Sequence, residues 1–298
     1  MKVYEGKDIR NVGLIGHGHS GKTTLAAGAL FLTGATNRLT SVDEGNTLTD
    51  FDDEEIQRKI SISTAIACLE WKKQKINVLD TPGFNTFIND TQAALTAADA
   101  ALVLVDGVAG VEVTTEKVWS FAKTYGQPRA LVINKLDREN SSFARVLESI
   151  HENFGRTAVP IQLPIGSERE FRGAIDLVRM RAFMYGPEPS GKGNEEDIPA
   201  TMKEAAEKAR ETLVEMVAEG NDALMEEFFE KGTLAPEQIQ EGLRAAVKDM
   251  RLFPVLCAST SKNLGTDLIL DFVVDYFPAP TERGPLAGVV DGAETTRS

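Results

Sequence analysis

The 298-residue chain has few cysteines and no long apolar run, and each absence excludes a class of protein. Its two cysteines, Cys68 and Cys257, are too few for a disulfide scaffold, and both lie in apolar runs, which predicts reduced, buried thiols. No stretch reaches the roughly 18 apolar residues of a membrane-spanning helix. The charged N-terminal segment 1–8 also lacks the apolar core of a secretory signal. We therefore expect a cytoplasmic protein without membrane contact.

Positive charge is scarce as well, because 32 Lys and Arg face 45 Asp and Glu, a formal net charge of −13. Diffuse attraction to nucleic acid or anionic lipid is not expected, so any contact with RNA needs local basic patches. Hydrophobic residues make up 42% of the chain, which is enough for a substantial core. This length and content fit one large domain with an insertion.

A glycine-rich loop follows the first apolar run of the chain. Residues 16–23 read G-H-G-H-S-G-K-T and fit the pattern G-x-x-x-x-G-K-[ST] at every fixed position. In this pattern backbone N–H groups bind the β-phosphate, the lysine reaches the β- and γ-oxygens, and the threonine hydroxyl binds Mg²⁺. The loop predicts a nucleoside triphosphate without choosing between ATP and GTP. The residues expected to contact it are Gly16, His17, Gly18, His19, Ser20, Gly21, Lys22, Thr23 and Thr24.

The base is chosen by an N-K-L-D motif at 134–137, directly after a second apolar run. The Asp137 carboxylate can accept hydrogen bonds from guanine N1–H and N2–H₂, a donor pair that adenine lacks. Sites built for such a group reject analogues without it by about 10⁴ to 10⁵. GTP and GDP are therefore the expected ligands, with backbone N–H groups of 259–260 expected to meet guanine O6. The expected base-contacting residues are Asn134, Lys135, Asp137, Ser259 and Thr260.

Between these motifs, residues 80–83 read D-T-P-G after another apolar run. Asp80 can hold Mg²⁺ through a water molecule, and the Gly83 N–H can bond the γ-phosphate, which hydrolysis removes. Each of the three motifs ends an apolar strand, and doubly wound sheets bind ligands at the carboxyl ends of their strands. The sequence therefore predicts a GTPase whose loops report the state of the nucleotide.

The fold class predicted is α/β, a P-loop NTPase G domain with a mostly parallel, doubly wound sheet. The alternating segment 60–71 and the run 75–80 form a predicted hairpin that adds one antiparallel edge strand. The motifs stop after residue 160, where an inserted α+β subdomain with a helical, acidic run at 201–231 is predicted. The predicted boundaries are 1–159 and 251–283 for the GTP-binding domain, 160–250 for the insertion, and 284–298 for a linker or the start of a missing second domain.

These motifs, with Ile165-Gly166, the segment 176–180 and the closing segment 273–278, resemble the G domain of elongation factor G over residues 9–280. The insertion is the more specific part of the resemblance. It implies a monomeric, ribosome-dependent GTPase that serves translocation or recycling. It also implies that the insertion meets the ribosomal stalk protein, and that further domains follow this fragment.

Three motifs depart from the family pattern. The loop pattern A-H-x-D-x-G-K-T has an aspartate where His19 stands, and that aspartate is associated with a monovalent cation. The pattern D-T-P-G-H has a water-orienting histidine where Phe84 stands. In the switch pattern E-x-E-R-G-I-T-I, Lys59 replaces the glycine and Ser61 replaces the threonine. The Ser61 hydroxyl is still expected to bind Mg²⁺ together with Thr23 and Asp80.

Phe84 leaves two functions open. Phenylalanine cannot hydrogen-bond water, so Lys22 and Gly83 are expected to support only slow hydrolysis unless the ribosome orients the water. The alternative is a nucleotide-gated module that binds ribosomes and hydrolyses GTP weakly or not at all. A metabolic phosphotransferase is disfavoured, since no second substrate site is legible in the sequence.

Overall fold

The computed structural model describes residues 3–284, 286–290 and 293–297. Its strands, in chain order, are β1 (Ile9–Gly16), β2 (Ala65–Trp71), β3 (Gln74–Asp80), β4 (Ala100–Asp106), β5 (Arg129–Asn134), β6 (Ala158–Pro160), β7 (Gln162–Ile165), β8 (Gly173–Asp176), β9 (Arg181–Met184), β10 (Asn194–Glu196), β11 (Phe253–Cys257), β12 (Leu286–Val290) and β13 (Ala293–Arg297). Its α-helices are α1 (Lys22–Leu32), α2 (Asp53–Arg58), α3 (Ile88–Ala97), α4 (Val113–Thr124), α5 (Phe143–Phe154), α6 (Lys203–Ala218), α7 (Asp222–Lys231), α8 (Pro236–Lys248) and α9 (Thr266–Tyr276).

Seven strands form the central sheet in the order β2-β3-β1-β4-β5-β11-β6. Every neighbouring pair is parallel except β2 with β3, which are antiparallel and leave β2 at the edge. The predicted α/β class, parallel sheet and antiparallel edge strand are confirmed. The short strand β6 was not predicted, because three residues carry too little periodicity to be recognised.

The central strands are apolar throughout because both faces of the sheet are covered. In β4, Leu102 and Leu104 belong to one apolar layer, and Val103 and Val105 belong to the other. Helices α1 and α9 pack in the first layer, and α4 and α5 pack in the second. Side chains buried on both faces explain the continuous apolar runs that the sequence shows.

The insertion has its own antiparallel sheet, in the order β10-β9-β8-β7. It does not have a separate core, since Leu213 of α6 and Leu243 of α8 are buried in the same layer as Val273 and Phe277. The predicted helical run at 201–231 is two helices, because Asn221 caps a new helix by accepting bonds from the N–H groups of Ala223 and Leu224.

The edge of the sheet differs from the sequence prediction in two ways. Strand β2 begins at Ala65 rather than at residue 60, because the Glu55 carboxylate accepts bonds from the N–H groups of Ile62 and Ser63 and holds that segment as a loop. Cys68 was predicted to be buried, but it is exposed, since it lies on the outward face of an edge strand. Cys257, in the central strand β11, is buried as predicted.

The last described residues pair as an antiparallel ladder, β12 with β13. They fall within the segment predicted as a linker or the start of another domain, of which 285, 291–292 and 298 lie outside the described residues. Among the helices of the described part, none combines the length and the apolar character needed to cross a membrane.

Candidate functional site

The carboxyl ends of five central strands open into one cleft of about 1000 Å³. It is lined by the loops that follow β1, β3, β4, β5 and β11, together with the segments 39–44 and 58–61. This is where an open α/β sheet binds its ligand. The size suits a nucleotide, since small-molecule sites span roughly 300 to 1000 Å³. The three predicted motifs are therefore brought together around one cleft.

The loop after β1 needs glycine at two positions for steric reasons. Gly16 has φ of +146°, and a Cβ atom there would overlap the Leu104 carbonyl. Gly21 has φ of +98°, and its Cβ would overlap the Asn134 amide. Helix α1 begins immediately afterwards at Lys22, so its unpaired N–H groups and positive dipole end point into the cleft. This is an anion-binding cradle made by backbone.

Lys22 is buried at the base of this cradle. Its Nζ donates to the carbonyl oxygens of Gly16 at 3.2 Å and His17 at 2.9 Å. Burial lowers the pKa of the Lys22 ammonium to about 8. A polyanion in the cleft would relieve this cost and keep the lysine charged. The chemistry of Lys22 therefore fits a phosphate ligand.

The two histidines of the loop have different surroundings. His17 Nε2 lies 3.3 Å from the carboxylate of Glu112, the residue that precedes α4. The ring of His19 meets the ring of Phe84 edge to face, with centroids 5.2 Å apart. Burial, followed by the charges of Lys135 and Lys22, lowers the pKa of His19, which favours its neutral form. His19 therefore adds little positive charge to the cradle at neutral pH.

Hydroxyl and carboxylate oxygens converge beside Lys22. Thr23 Oγ1 and Ser61 Oγ, both predicted to bind Mg²⁺, lie 3.1 Å apart. Asp80, the third predicted metal residue, is 1% exposed, and neither of its carboxylate oxygens accepts a well-formed hydrogen bond. Asp50 joins them, buried and with one carboxylate oxygen without a partner. No sequence signal marks Asp50, because it lies in a polar segment without periodicity.

The two carboxyls carry an electrostatic cost. Burial raises the pKa of Asp80 to about 6, and the hydroxyls of Thr49 and Thr23 offset this only in part. Burial likewise raises the pKa of Asp50. Buried oxygens without partners fit a small hard cation, because Mg²⁺ takes oxygen ligands. Within the described residues no cluster of three or more His, Cys, Asp or Glu side chains could hold a metal, so the hydroxyls are needed here.

Asn134 joins the phosphate-side loop to the base-side loop. Its amide Nδ2 donates to the Ser20 carbonyl at 2.8 Å and to Thr260 Oγ1 at 2.9 Å, and its Oδ1 accepts from the Thr260 N–H at 2.9 Å. The side chain is fully buried. Asn134 therefore holds two loops in register, 114 and 126 residues away along the chain.

Lys135 is held by an acidic residue that belongs to none of the three motifs. Its Nζ lies 2.7 Å from Asp106 Oδ2, at the end of β4. Burial alone would raise the pKa of Asp106, but the bonds from Lys135 and from the Val108 and Ala109 N–H groups lower it. Its position at the end of an apolar strand was the signal that could have identified Asp106.

Asp137 is positioned by Ser259, whose hydroxyl donates to Asp137 Oδ1 at 2.6 Å. The N–H groups of Ser259 and Thr260 were expected to meet guanine O6. They are instead donated inside the protein, to the Leu264 carbonyl at 3.0 Å and to Asn134 Oδ1 at 2.9 Å. In this structure both residues therefore support Asp137 and Asn134, because the tight turn after β11 uses these N–H groups itself.

The segment that carries Ser61 is ordered by helix α2. Glu55 caps α2 and also accepts bonds from the N–H groups of Ile62 at 2.8 Å and Ser63 at 3.1 Å. Lys59 ends the helix with φ of +56°, a left-handed conformation that favours glycine. The lysine is thus accommodated at this position at some cost in backbone strain.

Residues 7–279 match the family model described as the elongation factor Tu GTP-binding domain. The chain is 39% identical over 287 residues to elongation factor G of Granulibacter bethesdensis, covering 96% of this chain and 41% of that protein. A crystal structure of a protein from Thermus thermophilus is similar with a TM-score of 0.86 and 34% identity, covering 93% of this chain and 42% of the other. The chain thus spans less than half the length of these two proteins.

Proposed function

Since this chain belongs to the elongation factor Tu GTP-binding domain family, we propose that it is the nucleotide-binding part of an elongation-factor-G-like GTPase that acts on the ribosome. Membership of the family implies hydrolysis of GTP to GDP and phosphate, with Mg²⁺ as the metal. The observation that carries the proposal is the cleft lined by Lys22, Gly83 and Lys135, which belong to the three separate motif loops.

Each wall of the cleft has one task in this proposal. The backbone N–H groups of residues 16–24 and the Lys22 ammonium hold the phosphates. Asp137, fixed by the Ser259 hydroxyl, reads the guanine edge. Asn134 and Lys135 keep the base loop and the phosphate loop in place through Thr260 and Asp106. Guanine selectivity thus rests on the Asp137 carboxylate, which the Ser259 hydroxyl holds in position.

Thr23, Ser61 and Asp80 would hold Mg²⁺, with Asp50 beside them. The ion, when bound, neutralises charge on the β- and γ-phosphate oxygens. Ser61 belongs to the segment ordered by α2, and Gly83 follows Asp80, so both segments contact the phosphate end of the cleft. Loss of the γ-phosphate would release them, which is how the nucleotide state reaches the surface.

Hydrolysis by this site alone is expected to be slow. Phe84 offers no hydrogen bond to an attacking water, and positioning is most of catalysis in phosphoryl transfer. Two functions follow from the same residue. The first is a GTPase that the ribosome activates by supplying the missing group, and the second is a nucleotide-gated ribosome-binding module that exchanges GTP instead of cleaving it.

Residues 1–159 and 251–283 form the proposed GTP-binding part, and 160–250 the part that meets the ribosomal stalk protein. Helices α6 and α7 of the insertion expose many glutamates, including Glu204, Glu207 and Glu211. Ribosomal RNA contacts would need local basic patches, given the net charge of −13. We also propose that the protein acts as a monomer in the cytoplasm, either in translocation or in recycling.

Single-turnover GTP hydrolysis, measured with and without ribosomes after confirming that GTP binds and ATP does not, tests this function. We expect strong stimulation by ribosomes. Tight GTP binding without stimulated hydrolysis would favour the nucleotide-gated module, and failure to bind GTP would overturn both. The variant Phe84→His should speed hydrolysis, whereas Phe229→His, at a phenylalanine 77% exposed and distant in sequence from the cleft motifs, should not.

A further inference from the structure

The Phe84 ring packs against Gly18 of the phosphate loop, and only glycine at position 18 leaves room for the ring. A Cβ atom on Gly18 would come within 2.9 to 3.1 Å of three atoms of the Phe84 ring. Carbon atoms pack at about 3.5 to 4.0 Å, so alanine at this position would displace the ring. Gly18 is absent from the positions with positive φ, so backbone strain does not demand a glycine. The ring is what demands it.

His19 closes a second side of the ring. Its imidazole meets the Phe84 ring at an interplanar angle of 86°, with centroids 5.2 Å apart, a favourable edge-to-face arrangement. The loop that carries Phe84 is itself seated on the phosphate loop, since a Cβ atom on Gly83 would lie 2.7 Å from both the Gly18 nitrogen and the His17 carbonyl oxygen. Residues 17–19 therefore form the surface against which residues 83–84 pack.

The ring lies at the phosphate end of the cleft. A Cβ atom on Gly83 would also overlap the Lys22 ammonium, the group expected to meet the β- and γ-oxygens. Gly18, His19, Lys22, Gly83 and Phe84 all line the same cleft. Phe84 thus directly follows Gly83, whose N–H is expected to bond the γ-phosphate.

We propose that Gly18, His19 and Phe84 form an aromatic cap that keeps water away from the γ-phosphate, and that Gly18 is the residue that admits this cap. The proposal deepens and rests on the proposed function. In hydrolysis, a water oxygen bonds to the γ-phosphorus, the bond from phosphorus to the bridging oxygen of GDP breaks, and the proton of the water passes to the phosphate products. An apolar ring over the approach side excludes that water, as closed active sites do.

The cap makes a prediction that the absence of a histidine alone does not. If Phe84 only lacks a hydrogen bond, then Phe84→Ala, which also lacks one, should hydrolyse GTP at the wild-type rate. If the ring excludes water, Phe84→Ala should be faster by about tenfold, which is about 1.4 kcal/mol of barrier. Phe84→Leu, which keeps part of the apolar cover, should hydrolyse GTP more slowly than Phe84→Ala.

Gly18→Ala provides the second arm of the test. Its Cβ displaces the ring, so this variant should also hydrolyse GTP about tenfold faster. In the double variant Gly18→Ala, Phe84→Ala no ring is present to be displaced, so its rate should equal that of Phe84→Ala alone. Gly186→Ala is the matched control, because Gly186 has no positive φ and open space around its Cβ position.

The measurement is single-turnover hydrolysis by the whole chain without ribosomes, at saturating protein, with GTP affinity and thermal unfolding measured for each variant. Equal rates for the wild type, Phe84→Ala and Gly18→Ala would overturn the proposal of a cap. A rate increase in the double variant equal to the product of the two single increases would overturn it as well. If Gly18→Ala does not fold, the comparison of Phe84→Ala with Phe84→Leu decides. A wild-type chain that binds no GTP would overturn both the proposed function and the cap, whereas a GTP-hydrolysing wild type with unresponsive variants would overturn the cap alone.

Discussion

Replacing Asn134 by alanine should separate the mechanical role of this residue from recognition of the base. The side chain is fully buried and makes three hydrogen bonds, to the Ser20 carbonyl and to the hydroxyl and N–H group of Thr260. Alanine removes all three and leaves the buried Thr260 N–H without its partner. The phosphate loop and the turn after β11 then lose the direct side-chain link that residue 134 provides.

The magnitude follows from these contacts. A buried hydrogen bond contributes about 1 kcal/mol net, and an orphaned buried donor adds a penalty of about 1 to 3 kcal/mol. We expect Asn134→Ala, which loses three such bonds and orphans one donor, to lower the free energy of unfolding by about 4 to 6 kcal/mol. Affinities for GTP and GDP should fall by similar factors, because the lost link does not touch the γ-phosphate.

Urea unfolding followed by circular dichroism measures the first effect, and equilibrium nucleotide binding measures the second. Asn153→Ala is the matched control, because Asn153 also donates one bond to a backbone carbonyl, at 2.8 Å, but is exposed on α5. Its unfolding free energy should change by less than about 0.5 kcal/mol. An Asn134→Ala variant as stable as Asn153→Ala would refute the reasoning.

Three further predictions concern single positions. The pKa of Asp80 is raised from 3.8 to about 6, so between these pH values the folded state binds a proton that the unfolded state has released. Without Mg²⁺, the free energy of unfolding should therefore fall by about 3 kcal/mol as pH rises from 4 through 6. Asp80→Asn should remove that fall, which chemical unfolding in the presence of a chelator measures. Lys59→Gly should raise unfolding stability by about 0.5 to 1 kcal/mol by relieving the positive φ, whereas Lys75→Gly, in β3, should lower it. Asp137→Asn should lower GTP affinity by about 10⁴-fold and improve binding of xanthosine triphosphate, whose 2-oxo group accepts a bond from the amide; unchanged preference in competition binding would count against the assigned base contact.

Much of the fold was readable from the sequence because its signals are local. The segments 100–106 and 129–134 form β4 and β5, and strands buried on both faces show in the sequence as continuous apolar runs. The hairpin of β2 and β3 was readable from alternation and a short connection. Strand β6 was not, because its three residues are a strand only through pairing with β11, which is distant in sequence.

The candidate site divides in the same way. The spacing of the phosphate loop and of the N-K-L-D segment predicted Lys22 and Asp137 as ligand contacts, since backbone geometry and side-chain chemistry there are set within a few residues. Asp50, Asp106 and Glu112 were not identified. Each acquires its place only when another loop folds against it, at Asp80, Lys135 and His17 respectively.

The sequence by itself thus determined the α/β class and the position of the three motifs at strand ends, because those depend on short local patterns. Only the tertiary structure decided which N–H groups of the turn after β11 are already used, that Cys68 faces outward, and that Phe84 rests on Gly18. The physical reason is that exposure, hydrogen-bond satisfaction and steric fit are properties of pairs of residues. Here the pairs lie as much as 126 positions apart, and nothing in either local segment specifies the other.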